Sequence, residues 1–271
     1  MKNTAKKVIS LALAAVILSF VSCASPITEA ELNDAMRNGA EKIAAESFLE
    51  LISTETLGNK DTGAVFKESF SFVLKKNESG NRMTLSQTSS VKSGAEYKNY
   101  VENSYYYDGE VLYKHLSALS GDQKSEQKTK KAFSFNDAHS LLYGAVGFES
   151  VDYEIKNISK SSGSYIYDVE GISLTKADAE RLYAAFYGEG AEITSFTVKN
   201  GKGMCIVSGD GYLTYRYLRY EVEITVSEGG AEKTVTLFEE LAKKAISVSA
   251  EIVITPLVTT DSQKAEYTEE N

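Results

Sequence analysis

Cys23 is the residue whose flanking sequence specifies a reaction. Lys2, Lys6 and Lys7 make a basic start, Val8 to Val21 is a run of apolar and small residues, and Ser22-Cys23 follows. That order predicts an export signal over residues 1–22, cut by signal peptidase II to leave Cys23 as a lipidated N-terminus. The acyl chains would hold the protein on a membrane surface. The run falls short of the roughly 20 residues a helix needs to cross a bilayer, which disfavours a permanent transmembrane anchor. An ordinary secretory signal is the rival reading, although no Ala-x-Ala stands at the end of the run.

Elsewhere the reactive residue types stand apart. His115 falls in a strand pattern and His139 in a helical one, with no Cys or His at zinc-ligand spacing, so each reads as a surface or satisfied histidine. Cys205, in Met-Cys-Ile-Val, reads as a small buried hydrophobe, and with Cys23 acylated no disulfide can form within one chain. No Gly-x-Ser-x-Gly elbow, P-loop or dinucleotide fingerprint occurs. Gly188-Glu189-Gly190 and Gly201-Lys202-Gly203 read as turns, and Gly209-Asp210-Gly211 lacks the spaced acids of a calcium loop. No cofactor, metal or catalytic residue is therefore expected. With 38 Asp and Glu, a carboxylate pair of the glycosidase kind stays open, but no pair is set apart by its context.

The signal holds three of the 29 Lys and Arg and no acid, so the remaining chain carries a net charge of about −12. Such a chain repels nucleic acid and anionic headgroups, and neither is expected as a partner. Aromatic residues are the other lead. Phe66, Phe70 and Phe72 share a strand face, and Tyr105 to Tyr107 and the run from Tyr212 to Tyr220 supply further rings. Core packing, the lining of an apolar cavity and a sugar-stacking platform are all readings of these rings; the absence of Trp counts against the last. Arg216 is the exception on an otherwise apolar strand face, at a cavity rim, paired with a carboxylate, or at a strand end.

These residues must be positioned by strands and a few helices. After a tether over 23–27, Thr28 and Glu31 form a capping box for a helix expected from Thr28 to Ile52. Phe66 to Leu74 alternates, with apolar even positions broken only by Glu68. Strands are predicted at Met83–Leu85, Tyr97–Tyr107 and, beyond an Asp108-Gly109 turn, Val111–His115. Ser117 to Lys131 reads as a mobile polar loop and Asn136 to Val146 as a helix. The second half repeats this pattern: strands over 151–158 and 164–170, a helix capped by Thr175 and Asp178 and ended by Gly188, and a hairpin around Asn200-Gly201. Tyr212 to Val226 is the longest strand. Leu237, Leu241 and Ala245 favour a helix over 236–244, Ile246 to Thr255 is a last strand, and residues 259–271 read as a disordered tail. Hairpin-linked strands with interspersed helices make an α+β class with an antiparallel sheet, as one domain over 28–258.

In this order the elements resemble the LolA-like half-barrel lipoproteins of the mycobacterial LppX and LprG type. The lipidated Cys23, the helix Thr28–Ile52, the hairpin Tyr105-Tyr106-Tyr107-Asp108-Gly109-Glu110-Val111-Leu112-Tyr113 and the interrupting helices carry the likeness. The resemblance implies a curved antiparallel sheet, a half-barrel, with the N-terminal helix and short helices on its concave face, enclosing an apolar cavity for acyl chains. Phe70, Phe72, Leu218 and Val222 are the candidate lining. If they pack directly on the helices, no site exists; if the helices stand off, each CH₂ of a bound chain contributes about 0.8 kcal/mol. The expected function is non-enzymatic binding of a hydrophobic, lipid-like ligand at a membrane. A structural lipoprotein with a solid core and a hydrolase with unmarked carboxylates are the alternatives.

Overall fold

Period-two alternation runs through most of the chain, and it folds as strands paired into one sheet. The computed structural model describes residues 25–26, 28, 30–32, 46–76, 80–93, 96–120, 123–145, 151–209, 213–247 and 251–270. Cys23 and the export signal lie outside them. The first half holds β1 (Ser25–Pro26), β2 (Phe48–Asn59), β3 (Val65–Lys75), β4 (Arg82–Ser93), β5 (Glu96–Tyr107), β6 (Val111–Ser120), β7 (Gln123–Ala132) and helix α1 (Phe135–Ala145). The second holds β8 (Asp152–Ser161), β9 (Ser164–Ser173), helix α2 (Lys176–Tyr187), β10 (Glu192–Ser208), β11 (Leu213–Glu228), β12 (Ala231–Ser247), helix α3 (Asp261–Ala265) and β13 (Thr268–Glu269).

Strands β2 to β7 form one meander and β8 to β12 another, and β12 joins them by pairing with β2. The result is a 13-stranded, open, curved sheet, antiparallel except where β13 runs parallel to β7: an α+β half-barrel. Register shifts in β4–β5, β8–β9, β10–β11 and β12–β2 supply local bends.

Both longer helices lie on one face, here called inner. Leu49 and Leu51 of β2 join Phe72, Leu74, Met83, Leu85, Tyr107 and Leu112 in a core closed by Ala138 and Leu142 of α1. Further along the same side of β2, Asn59 donates to Tyr187 of α2 at 2.7 Å. The core under α2 holds Ala179, Leu182 and Tyr183 against Leu218, Val222, Ile224 and Leu237. The Thr175–Asp178 capping box starts α2 as the sequence predicts, and Gly188 ends it at φ 85°.

The structure differs from the sequence reading in five places. The Thr28–Glu31 capping box forms, with Glu31 N–H donating to Thr28 Oγ1 at 3.2 Å, but Phe48–Ile52 is strand, so no helix reaches Ile52; residues 33–45 lie outside the described part. The expected loop over 117–131 is mostly the end of β6 and nearly all of β7: its Lys and Gln suit an exposed strand between β6 and the two-residue β13 as well as a loop. Asn200-Gly201 is a bulge inside β10, which pairs with β11 on both sides of it, with Asn200 at φ 54°. Residues 236–244 are strand, because a spacing of four places Leu237 and Leu241 on one side of a strand as readily as of a helix. Finally, of the strand predicted over Ile246–Thr255 the described residues 251–255 are not strand, and most of the supposed tail is ordered. Tyr267 is buried with Tyr106, Tyr113 and Val258 on the outer face, and Thr268 and Glu269 pair with Thr129 and Lys130. Apolar residues spaced over 252–267 fix this segment, which its polar neighbours concealed.

Candidate functional site

Register pairing places the four predicted lining residues on the inner face but divides them. Phe72 is fully buried in the α1 core, its ring edge-on to Tyr143 at 5.9 Å between centroids. Leu218 and Val222 are buried under α2. Phe70 lies half-buried beside the α1 core. None of the four lines the cleft between α2 and strands β2 to β4, the one beside α2 at Gly188 to Ile193, or the one beside α1 at Leu141 and Leu142.

The cleft that combines apolar walls with convergent polar groups lies between α2 and strands β2 to β4. It has a volume of about 520 Å³, within the usual span of small-ligand pockets. Leu57, Phe66 and Val91 are cross-strand neighbours along β2, β3 and β4, and they give an apolar floor bordered by Ala185 of α2. Phe186 leans on Phe66, their centroids 5.1 Å apart. Each of these side chains points inward because the alternation that builds β2 and β3 allows nothing else.

One step along the strands the wall turns acidic. Glu55 and Glu68 face each other across β2 and β3, and both line the cleft together with Lys67, Ser89 and Ser90. Like charges directly opposite one another are unfavourable in a sheet, so each must be compensated. Arg181, one turn into α2, reaches down and donates from Nη1 to Glu55 at 3.0 Å and from Nη2 to both oxygens of Glu239 on β12 at 2.8 and 3.1 Å. Glu239 is 1% exposed. Burial, and then a hydrogen bond with Glu55, push its carboxyl up to about 8 against the pull of Arg181. Arg181 thus bridges the carboxyl groups of Glu55 and Glu239. Glu68 is treated differently: it accepts from Gln87 Nε2 at 2.9 Å and Ser89 Oγ at 2.8 Å, both neutral donors. A carboxylate is an acceptor only, so this wall selects donors and cations.

Two further features adjoin the inner face. Arg216 pairs in register with Cys205 and Lys243, and burial, then the Arg216 charge, bring the Lys243 amine down to about 8. His139 stacks on Tyr143 at 5.3 Å and lies beside Phe135, and burial lowers its basicity. His115 Nε2 is 3.5 Å from the Glu126 carboxylate. No group of three His, Cys, Asp or Glu among the described residues is arranged to hold a metal, and no helix among them is long and apolar enough to cross a membrane.

Glu55, Glu68, Arg181 and Glu239 were not singled out by the sequence reading. Glu68 announces itself there as the charged break in an apolar alternation. Glu239 carries the same signal, between Leu237 and Leu241, once 236–244 is read as strand.

The sequence matches no known protein family and no curated protein. Among solved structures, Rv2717c from M. tuberculosis is similar at 10% identity and a TM-score of 0.18, over 74% of this chain and 95% of that one. A DUF1329 family protein from Desulfovibrio piger is similar at 10% identity and a TM-score of 0.22, over 81% of this chain and 92% of that one. Scores this low lend neither likeness any weight for fold or function.

Proposed function

We propose that this protein is an exported, lipid-anchored binding protein that holds a hydrophobic, lipid-like ligand on the inner face of its sheet and carries out no reaction on it. The observation that carries the reading is the cleft of about 520 Å³ between α2 and the sheet, over Leu57, Phe66 and Val91. Half-buried apolar side chains around a cavity of this size contribute binding energy in proportion to the area a ligand removes from water. The order of Lys2 to Lys7, the apolar run and Cys23 supports the anchor.

The test is native mass spectrometry of the full chain together with analysis of its organic extract. A ligand-bound species lost on Val91→Asp supports the reading, and recovery only as ligand-free protein counts against it. Palmitate-analogue labelling that disappears in Cys23→Ala supports the anchor; equal labelling of both proteins refutes it. A second reading, a structural lipoprotein with a solid core, is favoured by the direct packing of Phe72, Leu218 and Val222 in cores closed by the helices. Ligand-free recovery would select it.

A further inference from the structure

The cleft has a chemical asymmetry that restricts what can occupy it. Its floor, Leu57, Phe66 and Val91, is apolar, and its end is walled by Glu55 and Glu68 on adjacent strands. Arg181 bonds Glu55 at 3.0 Å and both oxygens of Glu239 at 2.8 and 3.1 Å. The bonds to Glu68 come from the Gln87 amide and the Ser89 hydroxyl, and among the described residues no cation lies within ion-pair distance of it. A half-buried carboxylate held by neutral donors is incompletely compensated, and a low-dielectric wall strengthens its attraction for a positive charge.

Resting on the reading of the cleft as a ligand site, we infer that its ligand is an amphiphile with a cationic head, the apolar body lying on Leu57, Phe66 and Val91 and an ammonium or amidinium group meeting Glu68. Neutral Gln87 and Ser89 orient the carboxylate without quenching it. Arg181 pairs with Glu55 and Glu239, which leaves Glu68 as the carboxylate of this wall with no ion pair among the described residues. An anionic or phosphate-bearing head would be placed against two carboxylates. The occupant is accordingly a simple organic cation and not a phospholipid.

Calorimetric titration of the full chain with octyltrimethylammonium, octanol, octylphosphocholine and octyl sulfate tests this. The expected order places the simple cation about tenfold tighter than octanol, with octylphosphocholine and octyl sulfate weaker than the simple cation. Glu68→Gln removes the advantage of the cation, bringing its affinity to that of octanol. Should that variant fold poorly, salt dependence replaces it: affinity for the cation falls as salt rises and affinity for octanol does not. Equal binding of cation and alcohol, or of cation and phosphocholine, overturns the cationic assignment while leaving the binding reading intact. Failure of all four probes overturns both.

Discussion

Glu239 faces inward between Leu237 and Leu241, and burial, then a hydrogen bond with Glu55, push its carboxyl up to about 8. A carboxyl that binds its proton more tightly folded than unfolded stabilises the fold fully in acid, and that contribution fades as pH rises from the ordinary 4.5 through about 8. The stability difference between wild type and Glu239→Gln is therefore expected to shift toward the variant between pH 5 and pH 8, as read from melting temperatures at the two values. Arg181 offers a second test. Arg181→Met strands Glu55 and Glu239 without their cation and is expected to cost about 3 kcal/mol in denaturant unfolding. Adding Glu239→Gln to it should recover part of that loss, since the two side chains share one network.

At the scale of elements, the C-terminal segment is a strap. Tyr267 meets Tyr113 edge-on at 5.3 Å, Lys128 pairs with Glu266 at 2.6 Å, and β13 covers the outer edge of β7. Tyr267→Ala should raise amide exchange at Thr129 to Lys131 while lowering the melting temperature less than Phe72→Ala, which opens a cavity in the α1 core at about 4 kcal/mol. Equal effects would mean that the strap and the core unfold together. These elements also mark where the sequence could be read and where it could not. The alternation in β3 and the capping boxes at Thr28 and Thr175 are local signals, and they stand where the sequence puts them. β7 and β12 are not local: β7 is a strand because β6 and β13 flank it, and β12 because β11 and β2 do. Half the acidic site was hidden for that reason, since Glu239 acquires its meaning only from the register of β12 with β2.

For the whole molecule, the joint between the meanders decides whether the halves behave as one. β12 pairs with β2 from Leu237–Asn59 to Ser247–Glu50, and Arg181 ties the second-half helix α2 to both strands. One cooperative calorimetric transition is expected, and a proteolytic nick between α1 and β8 should leave the two pieces associated. Two separate transitions, or two stable halves after cleavage, would show that each meander folds by itself. The antiparallel α+β class was readable from composition and hairpin signals, because turn residues such as Asp108-Gly109 act within a few positions. The division of the inner face into two cores and a cleft was not, since it depends on which strands become neighbours.

The pairing of β12 with β2 also bears on when this chain can fold. During synthesis β2 emerges early, and Asn59 must wait for Leu237 before the sheet's central seam can form. Contacts so distant along the chain close slowly, and until then the leading meander presents β2 as a bare edge, open to pairing with the wrong strand. The last long strand to be made therefore sets when the whole sheet can close.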